Sequence, residues 1–224
     1  MMNVVKDIIR NFYPYATFTL PSPLPPGRGG GELVYLTFDD GPIPEVTPKV
    51  LAILAKYDVK ATFFMVGENI DKHPDLFAQV VAAGHSVGNH TYNHLKGWRT
   101  PYAEYMANVN KWEEAFNRQS IVNQSSNRQS SNRQLFRPPY GKATLRQRYA
   151  LHKQGYRLIY WDILTRDYES TRTPEDMLTR IRHNVRPGSI INFHDSLKSN
   201  ERMLTVLPQA IEYLLAQGYT LQAL

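Results

Sequence analysis

Residues 33–42, LVYLTFDDGP, are the strongest fold signal in the chain. Six apolar or strand-favouring residues run directly into two adjacent carboxylates, Asp39 and Asp40, and the pair Gly41-Pro42 then stops the strand. Adjacent acids at the end of a strand can point in different directions, so one can bind a metal ion while the other stays free as a base. Taken alone, Asp-Asp-Gly is more often an ordinary turn that caps the following helix.

After this strand, short apolar runs alternate with longer helical patterns, which is typical of βα units and not of a sandwich. The stretches 46–57 and 204–215 each place apolar residues on one face and predict amphipathic helices packed on a sheet. The predicted strands are Leu33–Phe38, Ala61–Val66, His85–Val87, Leu135–Phe136, Arg157–Trp161, Ser189–Phe193 and Tyr219–Leu221. The sequence therefore predicts an α/β fold.

The domain organisation follows from length and local composition. A chain of 224 residues with 42% hydrophobic residues can fill one core, so we expect one globular unit. Residues 1–32 are interpreted as a lead-in, because the segment Pro21–Gly31 is dense in proline and glycine, and residues 33–224 as the working domain. Within it, residues 117–134 repeat the motif SSNRQ and carry few apolar side chains, which predicts a mobile surface loop.

Composition excludes several classes of function. The net charge of +6 is spread along the chain, which argues against nucleic-acid binding. With no cysteine, any metal ion must be bound by imidazole and carboxylate groups. No apolar run is long enough for a membrane span and none resembles a signal peptide, so a cytoplasmic location is slightly favoured, and we expect a monomer.

The segment His90-Thr91-Tyr92-Asn93-His94 has the spacing of a metal site. On a helical turn, two imidazoles four residues apart would face the same way. Such pairs also arise by chance, so the metal interpretation depends on a third ligand, which Asp40 can supply. Two histidines and one aspartate leave coordination positions open for water, as in catalytic zinc sites.

Two further segments could complete a catalytic site. In Arg137-Pro138-Pro139-Tyr140-Gly141, the prolines fix the backbone, so the N–H of Tyr140 could face an oxyanion while Arg137 pairs with a carboxylate. His194 ends an apolar strand, and an acid such as Asp167 beside it would make it a general acid. Alone, the Arg137 segment is equally explained by a rigid surface turn with a solvated arginine, whereas His194 as a core histidine and Asp167 as a helix-cap or loop acid are the favoured interpretations. However, Asp39, Asp40, Arg137 and His194 all follow predicted strands, where barrels of βα units build their active sites.

The five segments around Asp39, His90, Arg137, Asp167 and His194, in this order between about Leu33 and Leu224, resemble the polysaccharide deacetylases, the NodB-homology group classed as carbohydrate esterase family four. The resemblance implies a distorted (β/α) barrel of about seven strands. It also implies a metal-dependent hydrolase that removes acetyl groups from an acetylated amino sugar or polysaccharide, such as N-acetylglucosamine in chitin or peptidoglycan. One divalent ion is implied, with Zn²⁺ expected first and Co²⁺ or Ni²⁺ suited to the same ligands.

Residue roles follow from the same resemblance, position by position. Asp39 is similar to the catalytic base, and the metal ligands would be Asp40, His90 and His94. Arg137 would orient the base, the backbone N–H of Tyr140 would stabilise the oxyanion, and Asp167 would tune the catalytic acid His194. The acetyl pocket would be lined by Trp161, Phe193, Pro138 and Tyr168.

The chain departs from the family pattern at two places. Tyr168 stands where tryptophan is common, and Asn192-Phe193 replaces the usual aliphatic pair before the histidine. We expect these two departures to affect the width of the acetyl pocket. An O-acetyl esterase of the xylan type, a deformylase acting on a small sugar conjugate and a carbohydrate-binding protein without activity remain open alternatives at this stage.

Overall fold

The computed structural model describes residues 14–20, 31–122 and 135–224. Within these ranges, nine strands form one sheet: β1 (Ala16–Thr17), β2 (Leu33–Asp39), β3 (Thr62–Met65), β4 (Ser86–Asn89), β5 (Leu135–Phe136), β6 (Arg157–Ile159), β7 (Ile163–Leu164), β8 (Ile190–His194) and β9 (Thr220–Leu221). The α-helices are α1 (Thr47–Lys56), α2 (Gly67–Lys72), α3 (Pro74–Ala82), α4 (Tyr102–Val122), α5 (Leu145–Lys153), α6 (Pro174–Asn184) and α7 (Asn200–Ala216).

The sheet is parallel and curled. Its strand order is β1-β6-β5-β4-β3-β2-β8-β7, and β9 pairs with the beginning of β2. Every strand pair in this order is parallel. Because β7 and β1 do not pair with each other in the described ranges, the sheet is an incompletely closed barrel. The predicted distorted (β/α) barrel is therefore confirmed.

The central strand β2 explains how one sequence serves both the core and the site. All seven of its residues are buried. Successive side chains of a strand point to opposite faces. Val34, Leu36 and Phe38 pack with the helices in the main core, whereas Tyr35 packs inside the barrel. The inward face then becomes polar at Thr37 and Asp39, so the carboxyl end of the strand carries functional groups.

The register of the sheet brings two distant segments together. Across β2 and β8, Asp39 pairs with His194 and Thr37 pairs with Asn192. The backbone pairing of the two strands therefore fixes the relative positions of these four residues. Among the described residues, none of the helices combines the length and the apolar character that a membrane crossing requires.

Two helices begin at side-chain caps that the sequence encodes locally. Thr144 accepts a hydrogen bond from the N–H of Gln147, whose side chain in turn accepts one from the N–H of Thr144. Thr173 and Asp176 form the same reciprocal pair at the start of α6, where Pro174 occupies the first turn. Such capping boxes satisfy N–H groups that lack partners inside the helix. The two boxes fix where α5 and α6 begin.

The structure differs from the sequence-based expectation at several elements. All seven predicted strands exist, Leu135–Phe136 with both ends as predicted and the others with ends shifted by at most two residues, but β1 and β7 were not predicted. β1 lies in the assigned lead-in and pairs with β6. The prediction of a mobile loop over residues 117–134 is wrong for residues 117–122, because these residues continue α4. The rest of that insert, and the proline-rich residues 21–30, lie outside the described residues.

Candidate active site

The two adjacent carboxylates diverge where β2 ends. Asp39 is the last strand residue and points into the barrel, whereas Asp40 has a left-handed backbone with φ of 89°. Its N–H donates to the carbonyl of Phe64, and its carbonyl accepts from the side chain of Asn69. These two contacts hold Asp40 on the rim, so the neighbouring acids occupy different environments.

The histidine segment is a braced loop, so the prediction of a helical turn at residues 90–94 is wrong. Thr91 and His94 have left-handed backbones, with φ of 62° and 54°. The side chain of Asn108 on α4 accepts from the N–H groups of Tyr92 and Asn93. Such hydrogen bonds to the backbone compete with regular helix formation. The loop nevertheless brings both imidazoles to the same place.

Asp40, His90 and His94 form a cluster of potential metal ligands. One ligand atom from each lies within 4.8 Å of the other two. Asp40 Oδ1 is 3.3 Å from His94 Nε2 and 3.7 Å from His90 Nε2. His90 Nδ1 lies 2.7 Å from the carbonyl of Arg137, which can only accept, so this nitrogen carries the proton. The Nε2 of His90 is therefore a lone-pair donor aimed at the cluster.

The charge state of the cluster fits a divalent cation. Burial lowers the pKa of His90 to about 4, against a smaller opposing effect of Asp39, and burial also lowers the pKa of His94. Both imidazoles are thus neutral near neutral pH, the state that binds metals. A backbone carbonyl that orients the other ring nitrogen is a common support for a ligating histidine. Two neutral imidazoles and one carboxylate suit Zn²⁺, Co²⁺ or Ni²⁺.

Asp39 is held by a buried network next to this cluster. Its Oδ1 accepts a hydrogen bond from Arg137 Nη1 at 2.7 Å, and its Oδ2 accepts from the amide of Asn192 at 3.0 Å. Arg137 is fully buried and also donates to Thr37 and to the carbonyls of Ile159 and Tyr160. Burial alone would raise the pKa of Asp39, but the Arg137 guanidinium, with His90 and His194, holds it below its usual value.

His194 lies on the opposite side of Asp39 and is fixed by Asp167. The Asp167 carboxylate is fully buried and contacts His194 through both of its oxygens. Its Oδ1 lies 2.7 Å from the ring Nδ1, and its Oδ2 lies 2.7 Å from the backbone nitrogen. Burial would lower the pKa of His194, but Asp167, with smaller contributions from Asp39 and Asp40, raises it to about 9. The ring is therefore protonated near neutral pH, and its Nε2 remains available to donate a proton.

The turn Pro139–Gly141 lies beside the cluster and carries Tyr140 with φ of 59°. The N–H groups of Gly141 and Lys142 donate to Pro138 and Pro139, whereas no described residue accepts from the Tyr140 N–H. Trp161 packs against the turn, since a side chain at Gly141 would meet its indole ring. On the other side, the ring of Tyr168 stands edge-on to His194 at 5.0 Å. Trp161 and Tyr168 thus lie beside residues of the site, while the lining of the acetyl pocket by Trp161, Pro138 and Tyr168 stays a prediction.

Phe193 does not line the pocket, and that prediction is wrong. Its side chain is fully buried in the main core and stacks on Phe38 at 5.8 Å. The physical reason is strand alternation, because His194 faces the site and its neighbour must face the helices. Asn192 occupies the inward-facing position instead. The sequence comparison had indicated only that Asn192-Phe193 affects the width of the pocket. The spacing of two between Asn192 and His194 was the signal for the true position of Asn192.

Asp195 is a further functional candidate that sequence reasoning missed. It is fully buried and accepts hydrogen bonds from the N–H of Gly41 at 3.0 Å and from the hydroxyl of Thr47 at 2.7 Å. Its own N–H donates to the carbonyl of Asp39. Burial, together with repulsion from Asp40, raises the pKa of Asp195 to about 8. Asp195 therefore ties the segment after β8 to the loop that carries both site acids.

The sequence and fold match known proteins. The family model "Polysaccharide deacetylase" matches residues 27–159. A chitooligosaccharide deacetylase of Azorhizobium caulinodans is 33% identical over 205 residues, covering 85% of this chain and 92% of that protein. A peptidoglycan-N-acetylglucosamine deacetylase of Bacillus cereus is 28% identical over 210 residues, covering 92% of this chain and 89% of that protein.

Solved structures show the same likeness in three dimensions. The Bc1960 peptidoglycan N-acetylglucosamine deacetylase superposes with a TM-score of 0.82 at 29% identity, covering 94% of this chain and 91% of that one. A family 4 carbohydrate esterase of Streptomyces lividans, solved with acetate, gives a TM-score of 0.72 at 25% identity, covering 84% of this chain and 91% of that one. Each likeness therefore covers more than four fifths of this chain.

Proposed function

Because this chain belongs to the polysaccharide deacetylase family, we propose that it hydrolyses the N-acetyl group of N-acetylglucosamine units in a chitin- or peptidoglycan-type glycan, with the help of one divalent metal ion. The observation that carries the proposal is the pairing of Asp39 with His194 across β2 and β8, directly beside the ligand cluster. A carboxylate base and a protonated histidine on the two sides of one site are what amide hydrolysis requires.

Asp40, His90 and His94 would hold the ion through one carboxylate oxygen and two Nε2 atoms. When bound, a divalent ion supplies Lewis-acid polarisation of the acetyl carbonyl. The protein's contribution is to present the two imidazoles in their neutral form and to hold all three groups close together. Zn²⁺ is the first candidate for this ligand set, and Co²⁺ and Ni²⁺ fit it too.

Asp39 acts as the base that takes a proton from the attacking water. Arg137 and Asn192 each occupy one lone pair of its two oxygens, and the remaining lone pairs can accept that proton. The lowered pKa keeps Asp39 ionised at neutral pH, so the base is in its active state. Arg137 also prevents the carboxylate from rotating, which keeps it directed at the water.

His194 acts as the acid that protonates the departing nitrogen. Its Nδ1–H is committed to Asp167, so the proton that is transferred comes from Nε2. The products are acetate and a free amine on the sugar, and the water supplies the oxygen that acetate gains. The N–H of Tyr140, which no described residue accepts from, would stabilise negative charge on the acetyl oxygen.

The acid also favours an amide substrate over an ester. An amine leaves only after it is protonated, whereas an alkoxide leaves more readily, so a strongly fixed acid matters more for N-acetyl groups. A pKa of about 9 for His194 keeps this proton available throughout the neutral range. For this reason we place N-deacetylation ahead of the xylan-type O-acetyl esterase, and the full set of base, acid and ligands favours catalysis over simple carbohydrate binding.

The proposal is tested by measuring acetate release from N-acetylglucosamine oligomers, peptidoglycan and acetylxylan. We expect release from the N-acetylated substrates, and a loss of about a hundredfold or more in kcat for Asp39→Asn and for His194→Ala. Matched controls are Asp58→Asn, at a fully solvated acid, and His183→Ala, at an exposed histidine on α6. Near-normal turnover in Asp39→Asn or His194→Ala would reject the assigned role, and acetate from acetylxylan alone would favour the esterase.

A further inference from the structure

Two exposed aromatic rings extend the site away from the ligand cluster. Tyr140 is 50% exposed and Trp98 is 41% exposed. The Tyr140 ring lies 4.7 Å from the ring of His94, and the Trp98 ring lies 5.5 Å from Tyr140 and nearly perpendicular to it. These two rings therefore form a continuous aromatic surface that begins at a metal-ligand candidate and leads outward along the rim.

Trp98 is presented by a braced turn. The turn Gly97–Arg99 is fixed by the side chain of Gln147, which donates to the carbonyls of Gly97 and Thr100. Gly97 is buried and so close to Lys142 and Ala143 that a side chain there would collide with their backbone. A large indole left exposed on a rigid support is typical of a recognition surface, since solvent exposure of such a ring costs hydrophobic free energy.

Two lysines lie beside these rings. Lys96 Nζ is 5.5 Å from the centre of the Tyr140 ring, and Lys142 Nζ is 5.4 Å from the centre of the Trp98 ring. Both lysines are exposed, and neither has a carboxylate partner among the described residues. The aromatic surface therefore carries two positive charges that are available to an anionic ligand.

We infer that Trp98 and Tyr140 form a subsite for the sugar ring next to the one that is deacetylated, and that Lys96 and Lys142 make this subsite prefer a neighbouring sugar that carries a carboxylate. The inference rests on the proposed function, since it assigns a substrate class to the same site. The C–H faces of a pyranose ring are apolar and can stack on an aromatic ring, and the ammonium groups can bind the carboxylate. Chitin-type glycans are neutral, whereas alternate sugars of peptidoglycan carry a lactyl carboxylate.

The stacking role is tested with Trp98→Ala. We expect the ratio of kcat/KM for the N-acetylglucosamine tetramer to that for the monomer to fall about tenfold, mainly through KM. Trp98→Phe should restore most of this ratio because it keeps a stacking face. Leu215→Ala is the matched control, since Leu215 is also 41% exposed but lies at the far end of α7. An unchanged ratio in Trp98→Ala would overturn the subsite.

The charge preference is tested with the double variant Lys96→Gln/Lys142→Gln. We compare kcat/KM for the disaccharide of N-acetylglucosamine and N-acetylmuramic acid with kcat/KM for the neutral N-acetylglucosamine dimer. The ratio should fall about fivefold at low salt, and the difference should shrink at high salt. Lys56→Gln/Lys60→Gln removes the same charge at the other end of the barrel and should leave the ratio unchanged. Equal losses on both disaccharides in the Lys96/Lys142 variant would overturn the preference.

Failure of this inference is distinguishable from failure of the proposed function. If the wild-type protein released acetate from none of these substrates, the proposed function would fall, and the subsite would be tested by calorimetric binding of the anionic disaccharide alone. Weaker binding by Trp98→Ala than by Leu215→Ala would then support the subsite, and equal binding would overturn it.

Discussion

Asp167 accepts two hydrogen bonds from His194, one from ring Nδ1 and one from the backbone N–H, each 2.7 Å long. The first bond fixes the tautomer of the ring, and the second fixes the position of the residue that carries it. Because Asp167 is fully buried, its charge is poorly screened by water and acts strongly on the imidazole. One side chain therefore sets both the orientation and the proton affinity of the proposed acid.

This pair predicts the alkaline limit of activity. The reaction needs Asp39 ionised and His194 protonated, and the pKa of His194 is raised to about 9 while that of Asp39 is lowered. Activity should therefore be flat through neutral pH and fall as pH rises through about 9. Asp167→Asn removes the charge that raises the pKa of His194, so the alkaline limb should move to lower pH by roughly one unit or more. The pH dependence of kcat/KM measures both limbs.

The control for this experiment is Asp58→Asn, which removes an acid whose side chain is 96% exposed. It should leave the pH profile where it is, because an exposed charge is screened by solvent and salt. If the alkaline limb of Asp167→Asn coincided with that of the wild type, the proposed effect of Asp167 on His194 would be wrong.

The buried pair Arg137–Asp39 predicts a large loss of stability on Arg137→Met. Removal of the guanidinium leaves a buried carboxylate without its ionic partner, which costs about 3–5 kcal/mol in the free energy of unfolding. Arg118→Met is the matched control, since Arg118 pairs with Asp71 at 2.8 Å but is 53% exposed, and such pairs are worth about 0–1 kcal/mol. Urea unfolding followed by tryptophan fluorescence measures both, and similar losses in the two variants would contradict this account.

Gly41 and Asp195 are predicted to be coupled. A Cβ at Gly41 would overlap the Asp195 carboxylate, and all three nearest atoms belong to that side chain. Gly41→Ala should therefore displace the loop of Asp39 and Asp40 and weaken both stability and metal binding. In the double variant Gly41→Ala/Asp195→Ala the clash is absent, so the combined loss should be smaller than the sum by about 1 kcal/mol or more. Strictly additive losses would show that the two residues act independently.

Much of the fold could be predicted because its signals are local. The apolar strand before Asp39 and the amphipathic pattern of α1 and α7 each reveal one element and one face. By contrast, β1 and β7 contain two residues each, too few for any periodicity to appear. Residues 117–122 were predicted as loop because their composition is polar, yet they extend a long helix whose earlier residues Tyr105, Val109 and Trp112 are anchored in the core. Tertiary packing here outweighs local composition.

The site was predictable to the extent that it repeats a known motif pattern. The structure brings Asp40, His90 and His94 together, and it places Arg137 on Asp39 and Asp167 on His194. Matching residues to the family motif one by one assigned Phe193 to the pocket, whereas the alternation of side chains along β8 places Asn192, two residues before His194, on the inner face. The role of Asp195 likewise depends on a contact across more than 150 positions in the chain, between segments that only the sheet brings together.

The central claim is that one divalent ion, held by Asp40, His90 and His94, is required for deacetylation. The most direct test strips the protein with a chelator and measures acetate release from the N-acetylglucosamine tetramer as Zn²⁺ is added back. We expect no release from the stripped protein and a linear recovery that saturates at one equivalent of ion per chain, with no recovery in His94→Ala at the same concentrations. Full acetate release from metal-free wild-type protein would contradict the claim.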